Sequence, residues 1–169
     1  TSSEVFVTAA TPTDDSVRSA IRAAHARGLK VLLKPHVDPL NSYPRFVLSP
    51  RDPELWFRSY GAQMRRYAVL AREEGVEMLA VGTELALLAH SGHRARWLRL
   101  IEDVRARYPG PLTYAADSQA VHLTSFWDKL DYIGVDAFGP ASLANLSAAI
   151  DQVVTFERHE DRSMATHNH

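Results

Sequence analysis

"LAVGTELA", residues 79–86, runs apolar through Val81 and then stops on Gly82, Thr83 and Glu84. Such a run reads as a buried strand with a carboxylate at its C-terminal mouth. A carboxylate emerging from an apolar wall sits in low dielectric. That favours its protonated form and raises its pKa toward the range of a general acid. The structural alternative is a helix cap, or an ion pair with Arg94 or Arg96.

Working outward, the same unit recurs: a short apolar run followed by an amphipathic helix. "VFVTAA" (5–10) is strand-like, and 11–28 then reads as a helix capped by Thr11 or Thr13. Pro12, Asp14 and Asp15 suit its first turn, Gly28 suits its stop, and Val17, Ile21 and Ala24 share one face. "KVLLKP" (30–35) is the next strand. A long connection with three prolines (36–51) leads to a helix capped by Asp52, with Pro53 in its first turn, running through Tyr60, Met64, Tyr67 and Ala71 to Gly75. Connections of that length inside compact domains are usually functional or mobile. After the strand at 76–84, Ser91 is the expected cap of a helix whose Trp97, Ile101, Val104 and Tyr108 share a face. "PLTYAAD" (111–117) is a strand, "SFWDKL" (125–130) a short helix and "DYIGVDAF" (131–138) a strand, with 141–158 helical again. No glycine-rich phosphate loop follows any strand, so a dinucleotide-binding sheet lacks its best sign. Polar residues at successive strand ends are instead what a (β/α)8 barrel active site looks like. The predicted fold is therefore α/β, a partial (β/α)8 TIM barrel in one incomplete domain spanning 1–169, with 158–169 a frayed tail.

The 169 residues are 46% hydrophobic and 23% charged, with a formal net charge of −1. No basic stripe points to nucleic acid, and no polybasic helix or span-length apolar run points to a membrane. Without cysteine there is neither a disulfide nor a thiol nucleophile. No signal peptide is read at the N-terminus, and localisation is left open, the parent protein being secreted or not.

Lys34, His36 and Asp38 ("KPHVD") stand after the 30–35 strand, where they can bind sugar hydroxyls, orient a carboxylate or ligate a metal. Pro35 stiffens the backbone between Lys34 and His36. Their alternative is a solvated loop, and His-x-Asp is thin as a metal signal. Asp117 and Asp136 end the next strands, placed either to bond a ligand or to cap the following segment. Tyr43, Trp56, Tyr114, Trp127 and Phe138 fall near these ends, and aromatic planes suit the apolar faces of sugar rings. Trp56 and Trp97, at helical positions, read better as core. The terminal histidines lack ordered spacing, and the letters "HNH" alone make no nuclease.

"GLKVLLKPHVD", "SPRDPELWFRSY", "VGTEL", "WLRLIEDVRARYPGPLTYAAD" and "FWDKLDYIGVDAF" occur in the order that resembles glycoside hydrolase family 113, over roughly residues 11–140. The resemblance implies a (β/α)8-barrel β-1,4-mannanase with catalytic glutamates after strands four and seven. It places Glu84 as the acid/base after strand four, and Lys34, His36 and Asp38 after strand three. Tyr114 and Asp117 fall on strand five, and Asp136 and Phe138 at strand six, as substrate-binding residues. It implies no cofactor and no metal. The partner is an oligo- or polysaccharide, not nucleic acid or a membrane. The retaining mechanism needs a second carboxyl group about 5–5.5 Å away. No strand-seven block ending in glutamate is read here, since Glu157 and Glu160 sit in polar context without a strand. A complete barrel takes about 250 residues, so the chain is expected to be truncated at both ends, with open barrel edges that invite self-association. Two other readings stay in view. One is a non-catalytic carbohydrate-binding remnant; the other is a metal-dependent hydrolase using His36, Asp38 and Asp136.

Overall fold

The computed structural model describes residues 3–40 and 43–136. Helix α1 (Asp14–His25) begins where Thr13 Oγ1 accepts the amide of Ser16, and ends before Gly28 at φ 72°. Strand β1 (Leu32–Leu33) is followed by the long connection, which holds one 3-10 turn (Arg45–Val47). Helix α2 (Pro53–Glu73) starts on Asp52, whose carboxylate accepts the amide of Leu55, and Gly75 at φ 66° closes it. Strand β2 (Met78–Thr83), a single helical turn α3 (Ala86–Ala89) and helix α4 (Arg94–Arg105) come next. Strand β3 (Leu112–Asp117), 3-10 turns at Val121–Leu123 and Trp127–Lys129, and strand β4 (Tyr132–Asp136) complete the described chain.

The four strands form one parallel sheet in the order β1-β2-β3-β4. α-Helices connect β1 to β2 and β2 to β3, the repeating unit of a (β/α)8 barrel, and two 3-10 turns connect β3 to β4. Alternation along β3 sorts its side chains. Leu112, Tyr114 and Ala116 join the core under the helices, and Asp117 belongs to the opposite set with Thr113 and Ala115. The predicted helix faces are the ones that pack: Trp97, Ile101, Val104 and Tyr108 are all buried, as are Tyr60, Met64 and Ala71. Trp97 stacks on Phe126 and meets Phe57, Tyr60 and Tyr114 edge-on, making an aromatic centre between the helices and the sheet.

Several expectations are corrected. Residues 5–10 do not form a strand. The amide of Val5 donates to Ser59 Oγ on α2 instead of to a sheet neighbour, and Thr8–Thr11 is a turn closed by the Thr11 hydroxyl. The strand expected over 30–35 pairs only at Leu32 and Leu33, opposite Met78 and Leu79. Ser91 does not cap a helix by its side chain. It opens a 3-10 turn (Ser91–His93) in which His90 Nδ1 accepts the amide of Gly92, and α4 follows directly. The expected helix over 141–158, the tail and Phe138 lie outside the described residues.

Candidate active site

The polar strand ends converge on one edge of the sheet, the C-terminal edge of every strand. Lys34 follows β1, Glu84 follows β2, and Asp117 and Asp136 are register partners closing β3 and β4. Lys34 Nζ donates to both oxygens of Asp136, at 2.9 and 2.8 Å, across the sheet order. That bond brings the first and last described strands to the same end group.

Glu84 is placed by an irregular strand end. The register runs Ala80↔Thr113 and then Thr83↔Ala115, so β2 carries one residue more than β3 over that stretch. This is a bulge, a device that re-aims side chains beside active sites. Leu79 and Val81 join the helix-side core, and the Cβ that Gly82 lacks would also fall there, 2.9 Å from the rings of Trp97 and Tyr114. Two successive residues thus turn to the same side, and only glycine fits the second. Glu84 itself has φ 50°, the one non-glycine residue with positive φ among the described residues. Such backbone costs about 1–3 kcal/mol and persists only where its surroundings over-determine it. Here the Glu84 amide donates to Ala115 O at 2.7 Å, and the next amide, of Leu85, donates to the buried hydroxyl of Tyr114, also at 2.7 Å.

The side chain of Glu84 is 16% exposed. Burial raises its pKa above the ordinary value; Arg45 pulls it back, Asp136 and Asp117 push it further up, and Lys34 pulls it down. Its direct ionic contact is with Arg45 Nη1, at 3.4 Å from Oε2. The sequence-level alternative named Arg94 or Arg96 instead. Arg94 pairs with Asp128 and Arg96 with Glu54, both on the outer surface of the helices.

Arg45 is the site residue that sequence reasoning missed. It lies in the long connection, and the only available hint was that such connections carry function. Its guanidinium also holds Asp38, with Nη2 and Nε at 2.6 and 3.1 Å from Oδ1. His36 stands exposed on the same rim. Partial desolvation lowers its imidazole pKa, and the positive charges of Arg45 and Lys34 lower it further. Asp117 Oδ1 accepts the amide of Gln119, so the carboxylate is also a local cap.

Among the described residues the aromatic groove expected from the sequence is not assembled. Tyr114 is 1% exposed, packed edge-on against Trp97, Phe126 and Trp127, and offers no face to a sugar. Trp56 and Trp127 are buried as well, while Tyr43 is exposed. Tyr114 instead supports the turn that carries Glu84. His36, Asp38 and Asp136 are not brought together as a donor set: Asp38 is taken by Arg45 and Asp136 by Lys34. No group of three or more His, Cys, Asp or Glu placed to hold a metal occurs among the described residues. A cavity of about 750 Å³ lies between residues 4–12 and the 33–40 rim, and Glu84 is not among the residues that line it.

The "Glycoside Hydrolase Family 113" model matches residues 1–166. Among solved structures, the chain is similar to the GH113 beta-mannanase AaManA from Alicyclobacillus acidocaldarius in complex with ManMIm. It shares 31% identity with that protein at a TM-score of 0.79, over 90% of this chain and 51% of the other. It is similar also to a GH113 beta-1,4-mannanase, at 29% identity and a TM-score of 0.80, over 94% and 53% of the two chains. A solved chain described as one of two fungal beta-1,4-galactanases shares the fold alone, at 15% identity and a TM-score of 0.62, over 90% and 56%. No curated protein sequence matches it. The chain spans about half the length of the solved mannanases it matches. With the family pattern met from residue 1 to residue 166, and the polar strand ends gathered on the sheet edge where barrel enzymes work, the chain belongs to glycoside hydrolase family 113.

Proposed function

We propose that this chain carries the acid/base half of a retaining glycosidase acting on a β-linked polysaccharide, β-1,4-mannan first. The observation that carries the reading is Glu84: a half-buried carboxyl group on left-handed backbone at a strand end, with desolvation raising its pKa. A carboxyl group whose pKa is raised can give its proton to the glycosidic oxygen as the C–O bond breaks. The resulting carboxylate then takes a proton from the water that hydrolyses the glycosyl–enzyme intermediate. The nucleophile of that intermediate is a second carboxylate about 5–5.5 Å away. Among the described residues the nearby candidates are engaged, Asp136 with Lys34 and Asp38 with Arg45. The mannan assignment rests on the mannanases the chain resembles, and His36, Lys34, Asp117 and Asp136 are the rim offered to sugar hydroxyls.

In the protein carrying this chain, Glu84→Gln is expected to lower kcat/KM on β-1,4-mannan by about 10²–10⁴-fold. Wild-type hydrolysis by that variant would sink the reading. Stability supplies an independent check. A raised carboxyl pKa contributes stability that is complete below the ordinary value and is lost as pH rises through the raised one. Glu84→Gln should therefore melt no lower than wild type at neutral pH. Mannan-oligosaccharide binding by calorimetry without turnover, in the wild-type protein, would favour the non-catalytic binding remnant instead.

A further inference from the structure

Arg45 reaches Glu84 from a different element, and it is held there by a third group. Two of its nitrogens converge on Asp38 Oδ1 at 2.6 and 3.1 Å, and the third reaches Glu84 Oε2 at 3.4 Å. A guanidinium is planar and rigid, so fixing two of its nitrogens fixes where the third points. The side chain of Arg45 is 18% exposed, whereas that of Asp38 is 70% exposed. The arm is covered and its anchor stands in solvent. We propose that Asp38 and Arg45 form a two-part clamp on Glu84, with Arg45 a positioning residue whose approach to Oε2 is restrained by Asp38.

The clamp rests on the reading of Glu84 as acid/base, and it answers a requirement of that role. The same carboxyl group must give a proton in one step and take one in the next. Closer contact with the guanidinium would lower the Glu84 pKa, and its loss would leave the raising effects of burial, Asp136 and Asp117 opposed by Lys34 alone. A restrained contact lies between these limits. The other charged groups facing Glu84 are Lys34, Asp117 and Asp136, with the hydroxyl of Tyr114 behind the turn. Lys34 is committed to Asp136. His36 lies near Arg45 and Lys34. Arg45 is thus the cation bonded directly to Glu84 among the described residues.

The test is the titration of the Glu84 side-chain carboxyl carbon, followed by NMR in the whole chain labelled with ¹³C at glutamate. Arg45→Met is expected to raise the midpoint by about half to one pH unit, and Asp38→Asn to lower it by a few tenths, as the freed guanidinium closes on Glu84. In the double variant the Asp38 effect should vanish, because it acts through Arg45. The clamp is overturned if Arg45→Met leaves the midpoint in place, or if Asp38→Asn moves it equally with and without Arg45. Should Arg45→Met fail to fold, Asp38→Asn decides alone, since its site is in solvent, and an unmoved midpoint sinks the idea. Failure of the acid/base reading shows separately, as hydrolysis that survives Glu84→Gln while the titration shifts still appear.

Discussion

At the scale of single residues, the placement of Glu84 depends on a group buried behind the sheet edge. That group is Tyr114. Its sequence position beside Asp117 suggested a sugar platform, but strand alternation sends consecutive side chains to opposite faces. Asp117 and Tyr114 are three apart, so they part company: the aspartate closes the sheet edge and the tyrosine enters the helix layer. There its hydroxyl accepts the amide of Leu85, immediately after Glu84. Tyr114→Phe would leave that buried amide unpaired, at a cost of about 1–3 kcal/mol. Urea unfolding of the variant should show this loss, and unchanged stability would mean the bond contributes little. The position of Glu84 at the mouth of β2 was legible because an apolar run that stops on Gly-Thr-Glu reads as a strand and its end. Arg45 was not, because the ion pair joins residues 39 apart across a connection with no periodicity to read.

At the scale of elements, the helices follow local rules and the strands do not. Thr13 and Asp52 cap α1 and α2 as expected, since caps are written in adjacent residues. How α1 is fastened could not be read the same way. Arg18 and Arg22 of α1 converge on Glu74 at the end of α2, with Arg18 also reaching Glu73. These bonds pull the Glu74 carboxyl down to about 2, Arg22 contributing most and Arg18 next. A lowered carboxyl pKa contributes stability that is complete above the ordinary value of 4.5 and is lost as pH falls toward about 2. Glu74→Gln should therefore lower the melting temperature at neutral pH, with the gap narrowing through acid. A gap that stays constant down to about pH 3 would contradict the linkage. Residues 5–10 show the converse: strand propensity alone did not make a strand, because Val5 found its partner on α2.

At the scale of the whole molecule, the described residues form an open parallel sheet where the family builds a closed one. Leu32 on β1 and Tyr132 and Ile133 on β4, the first and last strands of the sheet, are about half exposed, at 49%, 55% and 44%. Exposed parallel edges with apolar side chains template further pairing. The chain studied alone is expected to self-associate, with sedimentation showing a mass that rises with concentration and Ile133→Lys returning it toward one chain. A single-chain mass at every concentration would show that these edges are protected.

The sequence by itself determined the alternation of strands and helices from α1 onward, the caps of α1 and α2, the helix faces that pack and the carboxylate at the mouth of β2. All of these are set by residues within a turn or two of one another. Only the tertiary structure decided which side of the sheet Tyr114 took, how the bulge at Gly82 re-aimed Glu84, and that Arg45 would reach it while paired with Asp38. Those outcomes depend on register between strands and on charges brought together across the fold. Spacing along the chain carries no record of either.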